Sequence, residues 1–404
     1  MANIKIKNKE NCCGCSACVD ACSKQCIHMI EDKEGFSYPI IDEKMCIDCG
    51  RCVACCPFQN DAKLKNKLDD DISYAFVSND IELIKSSSSS GAFWVIVENF
   101  VTRNKENFCV FGAAFEGIDV KHICAEDVKS ATRLKKSKYV QSNTVGIYKS
   151  VRSKLEEGKA VLFSGTPCQV AALKAYLFKP YTNLLTVDIV CHGVPSQKTF
   201  SDYLNELSTK YSDEVSAVSF RGKNDFYTDK PNSRTVDVTF NKGNTINFDI
   251  VHCEYLYGFH TGLYMRPSCY YCKYASSNRP GDITLADYWG IEKKYPELQS
   301  NKGVSLVRFN TEKGRSYLEA LKSSGIALET SYNFACKENH QLSYPSIPSS
   351  KRTDFIKMRR KGVTVTEAVN ICKSRDGFAK KVIHKLESLN YNYKIKKLTK
   401  HKVQ

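Results

Sequence analysis

Short apolar runs separated by polar turns alternate with amphipathic stretches along most of this 404-residue chain. Tyr74-Ala75-Phe76-Val77 predicts a strand, followed by a serine run and an apolar helix from Gly91 to about Val101. Further strands are predicted at Cys109 to Phe115 and at Lys159 to Ser164. The second ends in Gly165-Thr166-Pro167-Cys168-Gln169 and leads into a helix through Tyr176. Leu184 to Val190 reads as a buried strand, closed by Cys191-His192-Gly193. That strand–helix–strand order is a βαβ unit, which implies a parallel pair and an α/β domain. Strands are also predicted near Val215 to Arg221, Val236 to Phe240 and Ile246 to Ile250. From about Lys351 the pattern turns helical, and Phe378, Val382, Leu386 and Leu389 keep one face apolar among lysines.

The length favours two or three domains over one core. No apolar run approaches the roughly 18 residues of a membrane span. The start, Met1-Ala2-Asn3-Ile4-Lys5-Ile6-Lys7, lacks the apolar stretch of a secretory signal, so a cytoplasmic location is expected. The formal charge of +15 is uneven. Residues 1–60 carry seven Lys/Arg and eight Asp/Glu, whereas residues 351–404 carry sixteen Lys/Arg and four Asp/Glu, a local net of +12. Such a basic tail is either a solvated helical face or a docking element for an acidic protein or a membrane surface. No aromatic-basic motif accompanies it, so no nucleic-acid partner is expected.

Twenty cysteines change the picture, because eleven of them lie between Cys12 and Cys56. Without an export signal, that concentration points to metal in a reducing compartment rather than to a disulfide framework. Cys12-x2-Cys15-x2-Cys18-x3-Cys22 recurs 34 residues later as Cys46-x2-Cys49-x2-Cys52-x3-Cys56, followed by Pro57. This is the bacterial two-cluster ferredoxin spacing, in which the fourth cysteine of each run ligates the other cluster. Cys12, Cys15, Cys18 and Cys56 are therefore assigned to one 4Fe-4S cluster, and Cys46, Cys49, Cys52 and Cys22 to the second. Zinc sites instead join two separated C-x2-C pairs. Cys13 and Cys55 are one residue out of step, and Cys26 is a spare thiol assigned to the core.

Cys168 follows a predicted strand and opens a helix, where free N–H groups and the helix dipole favour a thiolate. Cys191 ends the next strand, so both thiols would emerge at the carboxyl edge of a parallel pair, where open α/β sheets bind ligands. Cys269-Tyr270-Tyr271-Cys272 offers two more thiols from a loop. Spacing alone leaves open a four-thiolate site, zinc, a redox dithiol and ordinary buried cysteine. Cys109, Cys124, Cys253, Cys336 and Cys372 have no such partners in sequence and are assigned to packing.

At these residues the chain resembles the beta-subunit family of the coenzyme F420 (deazaflavin) hydrogenases and dehydrogenases, in its bacterial form with an N-terminal ferredoxin domain. The matching segments are Ser87-Ser88-Ser89-Ser90-Gly91, Lys138-Tyr139-Val140-Gln141-Ser142, Gly165 to Gln169, Asp188-Ile189-Val190-Cys191-His192-Gly193-Val194-Pro195, Arg266-Pro267-Ser268-Cys269-Tyr270-Tyr271-Cys272 and Asp282 to Gly290. The resemblance implies a third 4Fe-4S cluster on Cys168, Cys191, Cys269 and Cys272. It also implies FAD, with Ser88, Ser89, Ser90, Gly91, Lys138, Gln141 and Ser142 as flavin contacts. A Ser/Gly turn before a helix can offer N–H groups and hydroxyls to a pyrophosphate, although Ala92 stands where a second glycine is often found. No Rossmann G-x-G-x-x-G motif is present to support a nicotinamide site.

The implied architecture is an α+β ferredoxin-like module over residues 1–60 and a linker over 61–72. Residues 73–150 form the family's N-terminal segment with the flavin contacts. An α/β domain with a mixed, partly parallel sheet follows over 151–345, then a basic helical tail over 346–404. The expected function is an iron–sulfur flavoprotein oxidoreductase passing electrons between ferredoxin-type clusters and an organic hydride acceptor or donor through FAD. The alternative is an electron-transfer subunit without its own active site, serving a catalytic partner. Either reading implies a redox protein partner, a ferredoxin or a hydrogenase- or dehydrogenase-like subunit. His192 is read as a structural histidine or a proton donor, and Asp282 and Asp287 as cofactor contacts or strand ends.

Overall fold

The two cysteine runs end in matching turns. Ser16 and Gly50 adopt left-handed backbone conformations (φ 60° and 72°) just before the short helices Ala17–Ala21 and Arg51–Ala54. Each helix carries the third cysteine of its run, Cys18 or Cys52. Between the runs, β1 (Ile27–Glu31) and β2 (Ser37–Ile41) pair antiparallel, Ile27 opposite Ile41. The computed structural model describes residues 4, 6, 8–66, 70–223, 235–249, 252–298 and 303–374.

The body is organised on an eight-stranded mixed sheet. Its strands are β3 (Ile72–Ser78), β4 (Phe108–Glu116), β5 (Asp119–Ala125), β6 (Ala160–Gly165) and β7 (Leu184–Ile189), followed after a separate small sheet by β11 (Ile283–Asp287), β12 (Ser305–Phe309) and β13 (Gly325–Ser331). The order across the sheet is β13-β3-β12-β11-β7-β6-β4-β5. The central run β4-β6-β7-β11 is parallel, and both flanks are antiparallel. The separate sheet holds β8 (Val215–Gly222), β9 (Thr235–Phe240) and β10 (Thr245–Phe248), all antiparallel.

Alternation explains the layers, since successive side chains of a strand point to opposite faces. Phe111, Val161 and Phe163 pack with Tyr148, Val151 and Leu173 of the helices Ile147–Glu156 and Pro167–Leu177. Their neighbours Val110, Leu162 and Val187 pack on the other face with Trp94, Val97 and Phe100 of the helix Ala92–Asn104. Both faces are covered, as a parallel sheet requires.

The βαβ unit is present as expected, with β6 and β7 paired in parallel, Val161 opposite Leu184. Strands β5, β11, β12 and β13 and the helices Ile147–Glu156 and Gln197–Tyr211 add to the elements read from sequence. The helical pattern after Lys351 appears as Arg352–Arg360 and Val365–Ser374. Phe378, Val382, Leu386 and Leu389 lie outside the described residues. Among the described residues, no helix is long and apolar enough to cross a membrane.

Candidate metal centres and cofactor cleft

The N-terminal thiols lie close to one another. Burial pushes the Cys18 thiol up, and Cys15, Cys55, Cys12 and Cys56 push it further. Cys56 is pushed up to about 12 by burial and by Cys15. Cys22 lies 3.4 Å from Cys26 (Sγ–Sγ), and the Cys26 thiol also senses Cys46, while Cys52 senses Cys49. Cys56 lies in the same neighbourhood as Cys12, Cys15 and Cys18. Buried thiols that raise one another's pKa are costly to ionise without a cation. A metal centre that deprotonates its thiol ligands outright supplies that charge, so these residues fit the clusters their spacing implies.

The later cysteines also come together. Cys168 opens the helix Pro167–Leu177 directly after β6, and Cys191 lies two residues beyond the end of β7. Cys269 and Cys272 are contributed by the 3-10 turn Pro267–Tyr271 and the residue after it. Burial, Cys168 and Cys272 push Cys191 up to about 12. Burial and its three neighbours Cys191, Cys272 and Cys168 raise Cys269, and burial and Cys168 raise Cys272 to about 11. Cys168 moves the other way, to about 7, chiefly because the Cys13 thiol hydrogen-bonds to it. Cys13 also touches Cys15, so this out-of-step residue stands between the first N-terminal group and the later one.

Local chemistry fixes Cys168. The Thr166 N–H donates to Gln169 Oε1 (3.0 Å), and Pro167 takes the first helical position, where no N–H is needed. Gln169 Nε2 donates to Ser142 Oγ (2.9 Å), Ser142 lies 2.9 Å from His122 Nδ1, and His122 Nε2 lies 3.1 Å from the Ser164 carbonyl. The chain of bonds assigns the proton to Nε2, and burial pulls His122 down to about 4, so it stays neutral. Ser142, expected at the flavin, here positions the cysteine-bearing turn.

The module is seated by groups that take its loop carbonyls. Arg266, only 1 % exposed, donates through Nε to Cys12 O (2.8 Å), through Nη2 to Ser37 O (2.8 Å) and through Nη1 to Gln141 Oε1 (3.1 Å). Its guanidinium also lies over the Tyr38 ring, 4.5 Å from the centroid. Gln141 Nε2 donates to Cys13 O (2.9 Å), Thr144 Oγ1 to Cys15 O (2.8 Å) and Tyr274 to Pro57 O (2.6 Å). In return, Asp20 accepts from the N–H groups of Gly146 (2.7 Å) and Tyr148 (3.0 Å) at the start of the helix Ile147–Glu156. Arg266 opens one of the family-like segments, but nothing local in the sequence marks it as the contact between modules. Arg266→Ala should lower folding stability by on the order of 2 kcal/mol, the cost of unpaired buried acceptors. Thermal unfolding of cluster-loaded protein checks this, and an unchanged transition would show that the seat is redundant.

The serine turn lies at the same carboxyl edge. Ser88 Oγ accepts from Ser137 N–H (2.7 Å), Ser90 Oγ donates to Phe76 O and lies 3.1 Å from Ser305 Oγ, and Gly91 (φ 97°) precedes the helix Ala92–Asn104. Arg221 Nη2 donates to Ser88 O and to Asp287 Oδ1 (3.0 Å each), and Lys223 Nζ donates to Ser89 O (2.6 Å). Burial, Arg221 and Lys136 bring Lys223 down to about 7. Ser89 Oγ is buried without a hydrogen-bond partner. Lys138 is turned inward, donating to the carbonyls of Arg133 (3.0 Å), Lys135 (2.6 Å) and Lys136 (3.2 Å), and burial lowers it to about 7. Sequence reasoning missed Arg221 and Lys223, which reach the turn from a different sheet.

His192 Nδ1 lies 3.0 Å from Gln341 Nε2 and 3.2 Å from Ser346 Oγ. Asp282 accepts from Thr186 N–H (2.8 Å), Thr186 Oγ1 (2.6 Å) and Thr311 Oγ1 (2.9 Å), tying β7 to β11. One assignment needs correcting: Cys109 and Cys124 are not isolated packing residues, because the β4–β5 hairpin brings them together beside Glu126.

Comparison with known proteins gives two family matches. Residues 158–333 match the family defined by the C terminus of the coenzyme F420 hydrogenase/dehydrogenase beta subunit. Residues 11–60 match the 4Fe-4S dicluster domain. No curated protein matches. Among solved structures, a chain from the xenon-derivatised F420-reducing NiFe hydrogenase complex of Methanosarcina barkeri aligns with TM-score 0.43 and 15 % identity, covering 78 % of this chain and 94 % of that one. Residues 11–60 thus carry a 4Fe-4S dicluster domain and residues 158–333 the C-terminal region of the coenzyme F420 hydrogenase/dehydrogenase beta subunit, the pairing of an iron–sulfur electron-transfer protein.

Proposed function

We propose that this chain is an iron–sulfur flavoprotein oxidoreductase with a third 4Fe-4S cluster and FAD, acting on an organic hydride acceptor or donor. The observation that carries the reading is the gathering of Cys168, Cys191, Cys269 and Cys272 behind Cys13 and Cys15. Bound clusters supply one-electron transfer, and a flavin is the group that couples it to two-electron hydride chemistry. The chain's own residues hold these groups in a fixed order. Cys49 is exposed, and Met45 and Ile47 beside it are 52 % and 59 % exposed. That apolar rim suits a redox protein partner docking on the second N-terminal group.

The serine turn supports the flavin. Arg221 and Lys136 repel the partly desolvated Lys223, with Asp287 as a counter-charge. A pyrophosphate would relieve that repulsion and give Ser89 Oγ a partner. One observation favours the alternative of a relay subunit without a flavin: Lys138, Gln141 and Ser142 are already engaged in internal hydrogen bonds.

Anaerobic purification with iron, sulfide and flavin measured on one sample separates the two. About one FAD per chain is expected after incubation with excess FAD. Lys223→Ala should weaken FAD binding about tenfold, the loss of one charge-assisted hydrogen bond, without changing iron. Wild-type protein that retains no flavin would favour the relay subunit.

A further inference from the structure

A second set of metal-ligating side chains lies at the other end of the sheet, on the hairpin β4–β5. Its register sets Phe111 opposite Cys124 and Val110 opposite Ala125, so Glu126 comes next across from Cys109. Side chains alternate between faces, which puts Cys109, Cys124 and Glu126 on one face. Cys109 pairs with Val161 at the start of β6, whereas Cys168 follows the end of that strand. The two sites are therefore separated by the length of the strands.

We propose that Cys109, Cys124 and Glu126 form a binding site for a thiophilic divalent cation, zinc in the first instance, with a fourth position left to water. The three donor atoms lie within 4.8 Å of one another. Glu126 Oε1 is 3.6 Å from Cys109 Sγ and 4.0 Å from Cys124 Sγ. Tetrahedral zinc with Zn–S of about 2.3 Å and Zn–O of about 2.0 Å needs S···O edges of about 3.5 Å, so little rearrangement is required. Cys109 is buried and Cys124 half-buried at the sheet edge, which supplies an entry path.

The surrounding charge also fits. Two thiolates and a carboxylate around Zn2+ leave one surplus negative charge. Lys154 Nζ stands 2.7 Å from Glu126 Oε1, and Lys159 Nζ 3.4 Å from Oε2. These ammonium groups can orient the carboxylate and stabilise the thiolates from outside the ligand set. Binding releases the two thiol protons to solvent, and no electron moves.

The test uses the full chain, purified anaerobically with its clusters loaded, given zinc ion and passed through a desalting column. The expected result is one retained zinc per chain at unchanged iron, with a zinc-edge absorption spectrum showing two sulfurs and lighter atoms. Cys124→Ser and Glu126→Gln should each weaken zinc binding about tenfold or more while leaving iron alone. Cys109 is fully buried, so these two less enclosed positions carry the test if Cys109→Ser fails to fold. Three results would overturn the proposal: no retained zinc, equal retention in both variants, or zinc bound by four sulfurs with loss of iron. A Cys109–Cys124 disulfide in the anaerobic protein, seen as the mass loss of two hydrogens, would overturn it as well.

Discussion

Cys168→Ser is expected to lower bound iron by about four atoms per chain, one cluster's worth, and to leave the N-terminal pair spectroscopically intact. The reason is local. Cys168 is the thiol whose neighbourhood reaches Cys13 as well as Cys191, Cys269 and Cys272, so its loss opens the set at its centre. Cys191→Ser and Cys272→Ser should give the same deficit. Cys253→Ser, at a buried thiol beside Tyr203, is the control and should leave iron unchanged. Iron and sulfide analysis of anaerobically purified variants decides the matter. An unchanged iron count in all three ligand variants would make these thiols structural.

The second large effect is expected on stability. Asp188 and Arg279 form an ion pair with side chains 0 % and 1 % exposed, Oδ1 to Nη2 at 2.7 Å. Asp188 also accepts from Arg279 Nε (3.0 Å), Gly281 N–H (2.7 Å) and Thr284 Oγ1 (3.0 Å). Arg279 in turn donates to Tyr274 O and Ile189 O (2.9 Å each). Asp188→Ala strands a buried guanidinium and should cost about 3–5 kcal/mol. Replacing both residues together should cost less than the sum of the single changes, because each single variant leaves an unpaired charge. Denaturant midpoints of the two single variants and the double variant check this, and strict additivity would refute the pairing. Ile189 lies two residues before Cys191, and Tyr274 two after Cys272. The pair thus also steadies both approaches to the later cysteine group.

The parallel strands β4, β6 and β7 were legible because they are short, continuous apolar runs bounded by turn residues. Both thiols at their ends could be placed from sequence for that reason. Strands β12 and β13 were not legible. Ser305–Phe309 is buried at every position, so it shows no alternation, and Gly325–Ser331 carries polar residues on a half-covered edge. The Cys109–Cys124 contact depends on hairpin register. The Gly117-Ile118 turn, with Gly117 at φ 60°, was the sequence signal that could have revealed it. The surroundings of Lys138 were not legible either. A lysine in a polar loop suggests a ligand, but here the loop folds over the ammonium group and supplies it with three carbonyls.

Cys12, Cys13 and Cys15 give their carbonyls to Arg266, Gln141 and Thr144, and any side chain at Gly14 would meet the Arg266 guanidinium at 2.5 Å. Lifting the module off would bare these acceptors together with the Asp20 carboxylate, so partial release has no cheap intermediate. The two parts should melt together in one transition, and a protease nick in the tether should leave them joined.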